Sequence, residues 1–227
     1  TIFLLLETLP LASRTQQSLG ETFANYWTLL KTKTFMRYVL CVTAFYVAGY
    51  AFITGSPKVY ITYFGVSEQY YGLLFGCNII GLTLVSALNR RLVMSYAMDT
   101  LLRRSLAVAV ISVVALTIFS ITGIGGLWGI VIPIFAMFST NGIIASCTNA
   151  AALNAVPPTM TGAAAALLGS LQYGSGIVSS LLLTLFVSDT PYAMTSIITF
   201  FVVLSALCMV GSTAHPAQPV RPGVDKH

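Results

Sequence analysis

The chain has 227 residues, of which 56% are hydrophobic and only 7% charged, with a mean hydropathy of +0.86 and a net charge of +5. Soluble domains carry roughly 25% charged residues, so this composition excludes an ordinary soluble globular protein and points to a membrane protein. The basic excess comes without a stripe of basic residues interleaved with aromatics, which argues against nucleic acid as a partner, and it fits anionic lipid headgroups.

Residues 1 to 6 (TIFLLL) are a short apolar stub. The stub lacks the basic start and small-residue cleavage site of a signal peptide, so it reads as the end of a preceding transmembrane helix and the chain as a piece of something longer; an interfacial peptide is the alternative. Residues 7 to 37 form a cytoplasmic linker. Within it, Ser18-Leu19-Gly20-Glu21 has the form of a capping box, and Leu19, Phe23, Trp27 and Leu30 follow at helical spacing. An amphipathic surface helix is expected, its Trp and Tyr suited to the headgroup region beside Lys31 and Lys33.

From Ser105 to Ser188 there is no Asp, Glu, Lys or Arg, a run far longer than the ~20 residues of one bilayer crossing. Glycines, prolines and charges divide the chain into six expected spans at about 38–64, 69–89, 105–122, 127–152, 163–187 and 191–212. The breaks are Gly65 to Glu68, the charged stretch Arg90 to Arg104, Gly123 to Gly126, Pro157-Pro158 and Asp189-Thr190-Pro191. No alternation of period two runs through these segments, so helices are expected rather than a membrane barrel. The expected fold is an all-α membrane domain of six helices at 38–212, with a cytoplasmic tail at 213–227. If the face before the first span is inside, ten of the eleven basic residues lie inside and only Lys58 lies on the outer half, which puts both termini in the cytoplasm. The four cysteines, Cys41, Cys77, Cys147 and Cys208, all fall within spans and behave as small apolar residues; neither a disulfide nor a metal site is expected.

Polar groups are distributed unevenly. The third and sixth spans hold only Ser and Thr hydroxyls, which can bond to their own helix backbone and so face lipid. The first span carries Tyr46, Tyr50 and the break Gly55-Ser56-Pro57-Lys58; the second carries Asn78; the fourth, Asn141 and Asn149; the fifth, Gln172 and Tyr173. Amides are too costly to point at hydrocarbon, so these four helices should surround something polar: each other, a partner or a wet cavity. In the fourth span Ser139, Gly142, Ser146 and Asn149 share one helix face, which either bonds to a neighbouring helix or lines a cavity. In the fifth, Gly162, Ala166, Gly169, Tyr173 and Gly176 share a face suited to close helix packing, and Gln172 lies off it, toward a cavity.

Two helices outside and four inside resembles one half of a major facilitator superfamily transporter. The segments "ETLP" (Glu7 to Pro10), "SPKVYITYFGVSEQYYGLLFGCN" (Ser56 to Asn78) and "PPTMTGAAAALLGSLQYGSG" (Pro157 to Gly176) resemble the C-terminal half of the Bcr/CflA drug efflux subfamily. That resemblance implies a twelve-helix fold completed by a missing N-terminal six-helix half, proton-driven antiport without any other cofactor, a small-molecule substrate, and a location in the bacterial inner membrane.

An enzyme is not expected, since both histidines, His215 and His227, lie beyond the last span and Asp99, Asp189 and Asp225 lie in loops or the tail. For the same reason no Asp, Glu or His within a span is placed to relay protons, so a coupling carboxylate would come from the missing half. Substrate-contacting candidates are Tyr46, Tyr50, Asn78, Asn141, Ser146, Asn149, Gln172 and Tyr173, for amphipathic organic solutes; the alternative is a non-transporting scaffold whose amides only join helices. Pro57 denies Ile53 its helical hydrogen bond ~28 Å along the first span, so a kink is expected in the outer leaflet, with Gly55, Pro57 and Lys58 as hinge or gate. Lys58 either snorkels to the headgroups or faces the cavity mouth.

Overall fold

The computed structural model describes residues 19–186 and 190–210. The stub at 1–6, the segment Glu7 to Pro10, Ser18 of the capping box, Asp189, and the tail at 213–227 with His215, Asp225 and His227 lie outside the described residues.

Among the described residues there is no strand. A short helix α1 (Leu19–Lys31) is followed by α2 (Lys33–Pro57), whose last turn passes directly into a π-helical turn over Lys58–Tyr63. Then come α3 (Glu68–Ser95), α4 (Met98–Thr122), α5 (Gly126–Asn154), a 3₁₀ turn at Pro158–Met160, α6 (Thr161–Leu185) and α7 (Tyr192–Met209). Six of these runs, all but α1, are long and apolar enough to cross a membrane. The chain is a multi-pass membrane protein.

The punctuation has simple causes. Gly123 ends α4 in the left-handed region (φ +69°), where a side chain would be strained, and its N–H closes back on the Phe119 carbonyl at 2.9 Å. Extended Ser67 precedes α3, and Glu68 places its charge in the first turn, where the helix dipole favours it. The stretch Arg90 to Arg104 differs from expectation. Instead of a charged loop, α3 runs to Ser95 and α4 restarts at Met98, leaving only Tyr96 and Ala97 between them. Nothing from Asn89 to Ser95 breaks a helix, arginine and leucine favour one, and the exposed Arg90, Arg91, Arg103 and Arg104 can be solvated from helical positions. Arg104 lies over the Tyr96 ring at 5.5 Å.

α2 and α5 touch at the centre and are the most enclosed spans. α4 and α7 pack together on both of them, α3 flanks α5, and α6 flanks α2. The main core is aromatic toward the end of α2: Phe52 stacks on Phe75 of α3 at 5.9 Å and meets Phe138 of α5 edge-on at 5.6 Å. A second cluster at the other end joins Leu29 of α1 to Phe35 and Val39 of α2, Ala152 of α5, and Ala164 and Leu168 of α6. There Arg37 of α2 donates to the carbonyls of Cys208 (3.3 Å) and Val210 (3.2 Å), satisfying the orphaned end of α7.

Some hydroxyls of α4 and α7 join the two helices, Thr117 to Thr199 at 2.7 Å and Ser120 to Thr195 at 3.2 Å, whereas Thr122 and Ser196 are exposed. A hydroxyl bonded to its own helix can still serve a second partner, and Thr117 does so, donating to Val113 while meeting Thr199. The outward faces are left to Ile111, Val114, Ile118 and Ile121 on α4 and to Phe200, Leu204 and Leu207 on α7.

Candidate functional site

Near the middle of the Lys33–Tyr63 run, α2 turns Tyr46, Gly49 and Tyr50 away from the enclosed core positions Phe45, Ala48 and Phe52. The absence of a side chain at Gly49, which has nothing within 4 Å of the position a Cβ would take, leaves a hollow between the two tyrosines. Tyr46 and Tyr50 meet edge-on at 6.2 Å, and Tyr46 meets Tyr173 of α6 in the same way at 6.2 Å. Such offset aromatic pairs hold ring orientation better than burial alone. The Tyr46 phenol also interacts with the side chains of Gln172 and Asn141. A pocket of about 100 Å³ is lined here by Phe45, Tyr46, Gly49, Tyr50, Ile53, Phe138 and Asn141.

Five of the eight sequence-selected residues are thus brought together: Tyr46, Tyr50, Asn141, Gln172 and Tyr173. Their environments are unequal. Gln172 is 3% exposed and faces α2, whereas its neighbour Tyr173 is 69% exposed. Gly176 packs beneath the Tyr50 ring, with ordinary contact distances of 3.5–3.6 Å for an added Cβ. The rest of that small-residue face does not pack on another helix among the described residues: Gly162 and Gly169 have nothing within 4 Å. The buried face of α6 is instead Ala164, Leu168, Gln172, Ser175 and Ser179.

The other three candidates lie elsewhere. Asn78 belongs to the seam between α3 and α5, where it shares the buried stripe of α3 with Gly81 and Asn89. Its Nδ2 donates to the Leu74 carbonyl at 2.9 Å. Ser146 is exposed and donates to the Gly142 carbonyl at 2.8 Å, so its hydroxyl is satisfied within α5. Asn149, two turns beyond Asn141, is half-buried. The polar face read along α5 therefore divides. Ser139 and Gly142 close against α3, since a Cβ on Gly81 would strike Ser139 and one on Gly142 would lie 2.7 Å from the Ser86 nitrogen and 2.9 Å from the Leu82 carbonyl.

Several buried acceptors and hydroxyls have no hydrogen-bond partner among the described residues, including Asn78 Oδ1, Asn141 Oδ1, Asn149 Oδ1, Thr148 Oγ1 and the Tyr60 hydroxyl. Leaving such groups dry costs about 1–3 kcal/mol each. Asn89, the last residue of the expected second span and not among the sequence-selected candidates, is 6% exposed and accepts from the Cys147 thiol at 3.9 Å. Its signal was spacing, eleven residues after Asn78 on one helix face.

The proline break has a distinct local geometry. Pro57 itself has ordinary helical angles (φ −60°, ψ −44°), and departure from α geometry follows it. The Phe64 N–H reaches the Val59 carbonyl at 3.1 Å and the Val66 N–H reaches Tyr60 at 3.0 Å, wider rings than an α-helix makes. The turn before Pro57 is pinned instead: Gly55 is buried where Met194 of α7 comes within 2.9 Å of an added Cβ, and buried Ser56 bonds to Tyr71 at 3.1 Å. Lys58 is exposed.

No family model matches the chain. It is 29% identical over 205 residues, 90% of its length, to the bicyclomycin resistance protein homolog of Haemophilus influenzae. It is 31% identical over 207 residues, 91% of its length, to the uncharacterized MFS-type transporter YdgK of Bacillus subtilis. The chain spans about half, 51%, of the length of each of these relatives. With six helices long and apolar enough to cross a membrane and this similarity along nine-tenths of its length, the chain resembles one half of a Bcr-like protein of the major facilitator superfamily.

Proposed function

We propose that this chain is the C-terminal half of a secondary active transporter that exports small amphipathic organic solutes in exchange for protons across the bacterial inner membrane. The observation that carries the reading is the mid-membrane cluster of Tyr46, Tyr50, Asn141 and Gln172, in which phenols and amides meet beside a small pocket. Flat aromatic faces with a few convergent polar groups suit drug-like molecules, and the relative from Haemophilus influenzae is named for resistance to one. Superfamily members bind substrate between two halves, so the half-buried side chains of Asn141 and Asn149 would meet the N-terminal half or solute. Among the described residues the spans carry no acidic residue near this cluster, so the proton-coupling carboxylate is assigned to the partner half. Both termini of the chain lie in the cytoplasm in this reading, following the basic residues.

The test is drug accumulation in an efflux-deficient bacterium expressing this chain with its six-helix partner half, compared with the chain alone. Together they should lower accumulation of amphipathic antibiotics until a protonophore is added; the chain alone should not. Saturable, proton-dependent flux from the chain alone would overturn the half-transporter reading, and no proton-dependent flux from the pair would favour a scaffold.

A further inference from the structure

Only Thr32 separates α1 from α2, and Lys33 opens the first membrane-spanning run. This one-residue connection fixes α1 at the depth where α2 enters the bilayer. Around α1 three faces can be separated. Taking the direction of Phe23 as zero, Trp27 and Leu30 lie within about 40° of it. All three are exposed, Phe23 by 72% and Trp27 by 62%. Tyr26 and Leu29 point about 300° and 240° round, and they are the residues that dock on the bundle, Leu29 with 1% exposure. Asn25 and Thr28 lie about 200° and 140° round, opposite the apolar stripe. The docking face is thus about a quarter-turn from both the apolar and the polar face.

A helix lying under the bundle with water beneath would dock through its apolar stripe. This one docks sideways and leaves Phe23, Trp27 and Leu30 uncovered, the disposition of a helix lying flat in the interface and leaning against the ends of α2 and α6. Lys31 is exposed on the side away from the bundle, with its ammonium 4.9 Å from the Trp27 ring centre, and Lys33 is exposed two residues on. A ring that sits among headgroups beside two cations is a site for lipid phosphate.

We propose that α1 is an interfacial helix selective for anionic lipid: Phe23, Trp27 and Leu30 enter the headgroup–acyl boundary, and Lys31 and Lys33 hold lipid phosphates beside them. The surface does not overlap the Tyr46–Gln172 cluster, and the inference does not depend on what is transported.

The experiment places the whole chain, with Trp128 replaced by Phe so that Trp27 is the sole tryptophan, in phosphatidylcholine vesicles containing a quarter phosphatidylglycerol. Lipids brominated at shallow or deep acyl positions, or in only one of the two headgroup classes, report depth and preference. Trp27 should be quenched more by shallow than by deep bromines, and brominated phosphatidylglycerol should quench it beyond its share of the mixture. Lys31→Gln with Lys33→Gln should erase about fivefold or more of that preference without changing depth. A second probe, Phe23→Trp in a Trp27→Phe, Trp128→Phe background, should report the same depth if the first variant fails to fold. Ready quenching by aqueous iodide would overturn the proposal in favour of a water-facing helix. Protection from both iodide and bromolipid would overturn it in favour of a protein partner, and equal quenching by both headgroup classes would overturn the anionic selectivity.

Discussion

The hydroxyls of Ser56 and Tyr71 lie 3.1 Å apart, joining α2 to α3 one residue before Pro57. Ser56 is fully buried, so Tyr71→Phe removes the partner of its hydroxyl and should lower stability by about 1–2 kcal/mol, read as a drop in thermal midpoint in detergent. Ser56→Ala together with Tyr71→Phe should recover part of the loss, because neither polar group is then left unmet. A double variant as unstable as the sum of the singles would show that the pair is not coupled.

Pro57 stands between a pinned turn and a widened one. Pro57→Ala supplies the missing N–H and lets the α-helical ladder continue toward Lys58. In the assembled transporter this should slow turnover several-fold with little change in substrate affinity, as expected if the π-helical turn absorbs movement of the outer end of α2. Wild-type turnover in this variant would remove the hinge reading. Lys58→Met should change selectivity between cationic and neutral solutes only if the lysine faces the substrate path.

Glycines at two helix contacts should respond in opposite ways. Gly142→Ala drives a methyl onto the backbone of α3, at 2.7 Å from Ser86 N and 2.9 Å from the Leu82 carbonyl, and backbone cannot rotate away. A loss of about 1–3 kcal/mol is expected, again as a lowered thermal midpoint. Gly176→Ala meets only the Tyr50 ring at 3.5–3.6 Å and should be tolerated. Similar midpoints for the two variants would mean that α3 and α5 are not in close apposition.

Gln172→Leu and Asn149→Leu separate the pocket from general packing. Gln172 serves Tyr46 and is almost fully buried, so its loss should reduce export of some substrates by about tenfold, the effect of removing one or two polar contacts. Asn149→Leu should reduce export less, as it lies outside the aromatic pocket. Both proteins should be present at near wild-type levels in the membrane; a matching fall in protein level would assign the amides to helix packing alone.

The helical architecture was legible because each span is a long apolar run, and a bilayer admits such runs only as helices. Helix ends were harder to read where the charges sit. Arg90, Arg91, Arg103 and Arg104 look like a loop in one dimension but are exposed helix surface. Tyr46 and Gln172 were identifiable as polar groups in costly places, yet their contact, 126 positions apart in the chain, depends on how α6 is rotated against α2. Small residues misled in the other direction: the glycine stripe of α6 looks like a packing face, whereas the close approaches are at Gly55, Gly81 and Gly142, where single glycines meet a neighbouring helix.

Arg37 closing on the last carbonyls of α7 bears on how the chain is made. The helix that enters the membrane first among the described spans is covered by α5, α6 and α7, and its N-terminal end is completed by the last described residues of the bundle. At ribosomal rates of about 5–20 residues per second, α2 waits on the order of ten seconds or more for α7 to emerge. Throughout that interval Tyr46, Tyr50 and the Pro57 turn lack their lasting neighbours, so biogenesis of this bundle calls for something to shelter a half-polar helix, whether the insertion machinery or segments already threaded. Chains stopped after α6 should for that reason be recognised and degraded, even though most of their spans are already in the bilayer.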